Sequence, residues 1–182
     1  KEKMEMKSIF TFLKNRGLLL CFTALILLSG CNNANLTTPK RVIKGDFDIY
    51  KFSGTWYEIA SMNDANLTNS TINFSVYNNE IKVIKSSIAK DNKVVKDEYK
   101  ARFGLDDNKS MIEISKFGLV YEPLYIVKID AYKYALIYGK DHKKLYILSR
   151  TKQIPALIEA IYLENAKKDG YNVEDIKWIN QK

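Results

Sequence analysis

Between Val94 and Phe103 the chain changes character at every residue. Lys96, Glu98, Lys100 and Arg102 alternate with Val95, Tyr99, Ala101 and Phe103, and only Asp97 breaks the second set. Successive strand residues point to opposite faces, so this segment reads as a strand with one wet face and one buried face. The same period places Ile72, Phe74 and Val76 opposite Thr71, Asn73 and Ser75. A first strand runs on from Phe52, and shorter runs recur at Glu80–Ala89, Ser110–Phe117, Tyr121–Asp130, Tyr134–Lys140 and Lys143–Arg150. The joints are short: "NNE", "KDN", "LDDNK" and "KDHK". Eight strands joined as hairpins predict an antiparallel sandwich or an up-and-down barrel. Beyond Arg150 the period becomes helical, with Ile154, Leu157, Ile158, Ile161 and Tyr162 on one stripe. Pro155 suits the first turn of that helix, Lys167 and Lys168 its last, and Gly170 its cap. A short closing strand, "VEDIKWIN", follows.

The start of the chain follows other rules. Lys1 to Gly17 carries five basic residues, and Leu18 to Gly30 carries no charge. A basic segment, a short apolar run and small residues make a secretory leader. The run falls short of the roughly 20 apolar residues that span a bilayer. Removing Lys1–Gly30 takes away five basic and two acidic residues, which lowers the formal charge from +8 to +5. The two cysteines are Cys21 and Cys31, so the exported domain holds no disulfide. A domain of this length can bury a sufficient core without one. Residues 31–44 are polar and read as a tether, and 45–182 as one domain. No Lys/Arg block interleaves with aromatics, so nucleic acid is not read as a partner. No cofactor motif stands out, and the sequence is silent on oligomeric state.

Two resemblances add to this. "LLSGC", ending at Cys31, resembles the lipobox of bacterial lipoproteins. It implies acyl chains on Cys31 and a membrane partner held through them. Asn32 after Cys31 resembles outer-membrane sorting, which implies an envelope location facing the periplasm. "FSGTWYEIA", with Gly54 and Trp56, resembles the first signature of the lipocalins, and its tail resembles their bacterial branch. "VKIDAYKYALIYG", with Asp130 and Tyr132, resembles the second, and "LYILSRT", with Arg150, the third. The connection Asn63–Ser70 departs from the bacterial pattern. The resemblance implies an all-β, eight-stranded antiparallel barrel with one C-terminal helix and a short closing strand. It implies that Trp56 plugs the closed end and that Arg150 lies across its indole. The implied ligand is a fatty acid or lysophospholipid, handled for storage, transport or envelope maintenance.

If Trp56 faces in, period two points Glu58, Ala60 and Met62 inward as well. Glu58 is then either a polar anchor for a ligand or a carboxylate paired inside the protein by a Tyr or Lys. Phe74, Val76, Tyr99, Ala101, Phe103 and Tyr125 are expected to line the cavity with them. Two other functions compete. An eight-stranded barrel is small enough for its own side chains to fill it, which would make the chain an interaction protein without ligand. An enzyme would need a nucleophile beside a base. The sole histidine, His142, falls in a hairpin turn, and Ser115 and Ser149 have no histidine near them in sequence. No His, Cys or Asp cluster has metal spacing.

Overall fold

The computed structural model describes residues 47–62, 67–78, 80–104 and 110–182; the leader, Cys31 and the tether lie outside them. Asp48 starts the described fold by capping a four-residue helix, α1 (Ile49–Phe52), its carboxylate accepting from the N–H groups of Tyr50 and Lys51. A short acidic side chain satisfies such orphan donors at a helix start. Eight strands follow: β1 (Gly54–Ser61), β2 (Thr68–Tyr77), β3 (Glu80–Ile88), β4 (Val94–Phe103), β5 (Met111–Ser115), β6 (Glu122–Asp130), β7 (Tyr134–Tyr138) and β8 (Leu145–Ser149). Each pairs antiparallel with the next, and β1 pairs with both β2 and β8, so the sheet closes on itself. Closure removes the free edges that an open sheet must protect. The barrel is the up-and-down one expected.

Helix α2 (Ala156–Lys168) packs outside the wall. A 3-10 turn, Val173–Asp175, leads into β9 (Lys177–Trp178), which pairs with β1 at Ala60 and Ser61. The closing strand is thus shorter than its sequence suggested, because Asn172 accepts from the Glu174 N–H and winds the chain first. Strand β5 also stops early, at Ser115, where a bend with Gly118 at φ +74 takes over. Likewise β7 ends at Tyr138, since the Gly139 N–H turns to the Lys144 carbonyl at 2.8 Å.

Two apolar clusters form. One fills the barrel around Phe52, Trp56, Phe74, Ile112, Ile126 and Leu148. The other lies between the wall and α2 around Leu136, Tyr138, Ile147, Tyr162 and Ala166. Leu157, read onto the helical stripe, is 71% exposed, because α2 begins one residue before it and its first turn points away. Gly170, at φ +93, ends the helix, and the Tyr171 N–H returns to the Ala166 carbonyl at 3.0 Å. Tyr162 Oη donates to Asp130 at 2.6 Å and pins the helix to the end of β6.

The alternation that reveals the strands fails at two places. In β1 the register against β8 slips between Glu58 and Ala60, leaving Ile59 as a bulge. In β6 it slips against β7 between Ile126 and Lys128, leaving Val127. An extra residue of this kind reverses which faces the later side chains take.

Candidate functional site

The turns divide between two ends of the barrel. Helix α1, the last residues of β2, β4 and β6 and the first of β3, β5 and β7 share one end; the β3–β4, β5–β6 and β7–β8 turns share the other. The first end is shut. Trp56 is fully buried and donates through Nε1 to the Phe52 carbonyl at 2.8 Å. Its neighbour Phe52 stacks between the rings of Phe47 and Phe74, at 5.4 and 4.9 Å. The Arg150 guanidinium lies 3.8 Å from the Trp56 ring centre. It also donates to the carbonyls of Lys51, Phe52, Ser53 and Thr55 at 2.8–3.1 Å. One planar fork thus ties α1 to β1 over the indole, which a lysine could not do. Burial pulls the Arg150 pKa down from its usual value. Gly54 is required here twice over: its φ is +96, and a Cβ would stand 3.3 Å from Arg150 Nη1. Tyr132 Oη accepts from the Asp48 N–H at 2.9 Å on the same floor.

Above the floor sits a buried polar group. Glu58 is fully buried and accepts from Ser70 Oγ at 2.5 Å and from Lys85 Nζ at 2.8 Å. Lys85 Nζ also lies 5.7 Å from the Tyr146 ring centre. A buried carboxylate without such partners would be costly. Gln181 Nε2 bridges the carbonyls of Glu58 and Ser70 from outside, at 2.7 and 2.9 Å. Beside Lys85 is a narrow hollow of about 60 Å³, lined by Ile72, Phe74, Val83, Tyr99, Leu124 and Tyr146 among others. Toward the open end lies a wider pocket of about 390 Å³. It shares Tyr99, Ile114 and Tyr146 with the hollow, and its rim carries Lys116, Phe117, Leu119, Val120, Glu122 and Lys144. Lys144 pairs with Glu122 and Lys116 with Asp97.

The residues expected in the cavity separate into three groups. Phe74 and Tyr99 line the hollow, and Glu58 reaches it through Lys85. Val76 and Ala101 pack with the inner core and border neither of these two spaces. Ala60, Met62 and Tyr125 stand on the outer side of the wall, in or against the cluster under α2. For Ala60 and Met62 the cause is the Ile59 bulge, which pairs Ala60 with the outward Ile147 and turns Ser61 in beside Tyr146. Tyr125 pairs with the outward Tyr138. Phe103, at the closed-end tip of β4, is 37% exposed and lines neither space. Sequence reasoning passed over Lys85 and Tyr146. Alternation alone carries both inward: Ile81, Val83, Lys85 and Ser87 are one face of β3, and Tyr146 and Leu148 one face of β8. The expected strand Ser110–Phe117 took in Lys116 and Phe117, which the structure places in the rim loop with Gly118–Val120.

The groups considered for catalysis stand apart. His142 Nε2 meets the Asp169 carbonyl at 2.9 Å, at the open end, and its ring lies 4.8 Å from that of Tyr171. Ser149 is at the other end and donates to the Gln153 carbonyl. Ser115 Oγ accepts from the Gly118 N–H. Among the described residues no three His, Cys, Asp or Glu side chains are placed to hold a metal, and no helix is long and apolar enough to cross a membrane.

Known proteins share this architecture. The family model of the lipocalin-like domain matches residues 47–181. The outer membrane lipoprotein Blc of Citrobacter freundii is 32% identical over 87% of this chain and 93% of its own length. The protein of the same name from Escherichia coli K12 is 30% identical over the same shares. Among solved structures, insecticyanin of the tobacco hornworm Manduca sexta superposes with a TM-score of 0.62 at 19% identity, over 78% of this chain and 85% of the other.

Proposed function

The chain belongs to the lipocalin-like family, and from that premise we propose that it is a membrane-attached binding protein of the bacterial envelope. It takes the apolar tail of a fatty acid or a lysophospholipid through the open end of its barrel. The observation that carries this is the pocket of about 390 Å³ at the mouth, walled by Tyr99, Ile114 and Tyr146. That volume lies in the range of small-molecule sites, which are apolar with a few polar groups. The ion pairs Lys116–Asp97 and Lys144–Glu122 make the rim polar, which suits a head group left at the surface. Its relatives are named outer membrane lipoproteins. With the lipobox at Cys31 this supports acylation there, cleavage before it, and an outer-membrane location facing the periplasm. The role is carriage, not turnover: His142 and Ser149 stand at opposite ends of the barrel, each engaged with a backbone carbonyl.

A second reading has its own support. The hollow below the mouth measures only about 60 Å³, well under the roughly 300 Å³ at which small-molecule sites begin. Side chains fill the rest, so the barrel could serve an envelope partner with no ligand in it. The two readings part in a calorimetric titration. A form starting near Thr37, made without acyl chains, is titrated with lysophosphatidylethanolamine and with palmitate. Saturation at one molecule per barrel, weakened about tenfold by Ile114→Trp in the passage, supports the binding protein. Flat titrations with both amphiphiles overturn it in favour of the filled barrel.

A further inference from the structure

We infer that the β5–β6 loop, Lys116–Val120, is a bilayer-docking prong that sets the mouth of the barrel against the membrane surface. The inference rests on the membrane attachment proposed above. Phe117, Leu119 and Val120 are 80%, 86% and 75% exposed, and they are nearly consecutive. Single exposed apolar residues are ordinary, whereas a cluster of large ones marks a contact surface. The loop is also held in shape. Ser115 Oγ accepts from the Gly118 N–H at 2.9 Å, Gly118 takes φ +74, and the Lys100 stem lies against it. Phe117 and Leu119 are therefore presented on either side of a fixed bend.

These side chains are at once the most exposed apolar group of the described residues and the lip of the mouth pocket. Whatever covers them lies across the opening. A bilayer fits for three reasons. Lys116 and Lys144 flank the lip, paired with Asp97 and Glu122, and such exposed ion pairs beside an apolar tip suit the polar headgroup boundary. The mouth behind the lip is where a lipid tail would enter. The tether also has the reach. The described chain begins at Phe47, whose ring packs on Phe52 in the closed floor. Sixteen peptide steps separate Phe47 from Cys31, and at full extension they cover about 55 Å. A ten-residue strand of the wall is about 33 Å long. An anchored chain can therefore run back along the barrel and let the far end touch the surface that holds it. Anchorage keeps that surface at high effective concentration, so a small apolar tip suffices.

The test uses the full acylated chain in vesicles of phosphatidylethanolamine and phosphatidylglycerol. One variant, Leu119→Cys, carries an environment-sensitive dye at the lip; another, Tyr77→Cys, carries it at the closed end, where the side chain is 78% exposed. Lipids brominated near the head group should quench the dye at Leu119 about fivefold more than at Tyr77. Adding Phe117→Ser and Val120→Ser to the first variant should bring the two signals together. Equal quenching at both positions, or stronger quenching at Tyr77, overturns the docking. Energy transfer between Leu119 dyes on different molecules without lipid quenching overturns it in favour of a contact between two copies. A chain that floats with vesicles yet keeps the Leu119 dye in water and unquenched sinks the docking alone. A chain that does not float sinks the attachment and the docking together.

Discussion

At Arg150 a single side chain closes one end of the molecule. It stacks on Trp56, donates to four carbonyls at 2.8–3.1 Å and crowds any Cβ at Gly54. Arg150→Ala should cost about 3 kcal/mol, since it strands carbonyls and removes the cation–π contact. Arg150→Lys should recover only part of this, because an ammonium cannot fork. Thermal unfolding checks both, with the alanine variant melting about 10 °C lower. Tyr162 gives a pH test. Burial first, and then its bond to Asp130, push its hydroxyl pKa well up. The neutral phenol is therefore the form the fold favours. Its stabilisation is complete below the free tyrosine value of about 10 and is lost as pH climbs beyond it. Tyr162→Phe should cost about 2 kcal/mol at neutral pH, the worth of a hydrogen bond to a charged acceptor. It should also flatten the alkaline loss of stability. Some slope stays, because burial raises Tyr171 too. If the Asp130 contact were unimportant, the variant would leave the neutral-pH denaturant midpoint almost unchanged and still flatten the alkaline limb, because burial alone raises the pKa. Much at this scale was legible in advance, because Gly54, Trp56, Asp130 and Arg150 stand in recognisable signatures.

The strands themselves were legible too, since alternation is the visible trace of a wall with two faces. What alternation hides is a bulge, because one extra residue leaves the pattern of apolar letters almost unchanged. In β1, "WYEIAS" reads inward at Trp56, Glu58 and Ala60, yet the wall turns at Ile59 and takes Ser61 instead. The site residues misplaced on this strand, Ala60 and Met62, both follow that bulge. Phe103 was misplaced for another reason: its face is right, but the strand runs past the packed interior. A substitution separates the two registers of β1. Ala60 is fully buried beneath α2, so Ala60→Phe should destabilise by about 1–3 kcal/mol through overpacking. Ligand stoichiometry and affinity should stay as they were. If the same change blocks binding while sparing stability, Ala60 faces the cup and the bulge is wrong.

The whole barrel follows from strand count, strand order and late helix, all of which the sequence carries. Its interior volume does not. Whether eight strands enclose a cup or a packed core depends on how Tyr99, Tyr146 and Lys85 lie across the axis, and rotamers leave no trace in a pattern of letters. The molecule is polar along that axis, with Phe47 packed into a sealed floor and the mouth opposite. This arrangement bears on how the protein can be watched. It has two tryptophans. Trp56 is sealed in the floor under a guanidinium, and Trp178 lies on the outer wall in β9. Neither borders the mouth or the hollow. Intrinsic fluorescence would report the floor melting and the outer strand peeling away, and stay almost constant while a lipid came and went. A spectroscopist would have to bring the light to the other end, with a tryptophan written in at Tyr146.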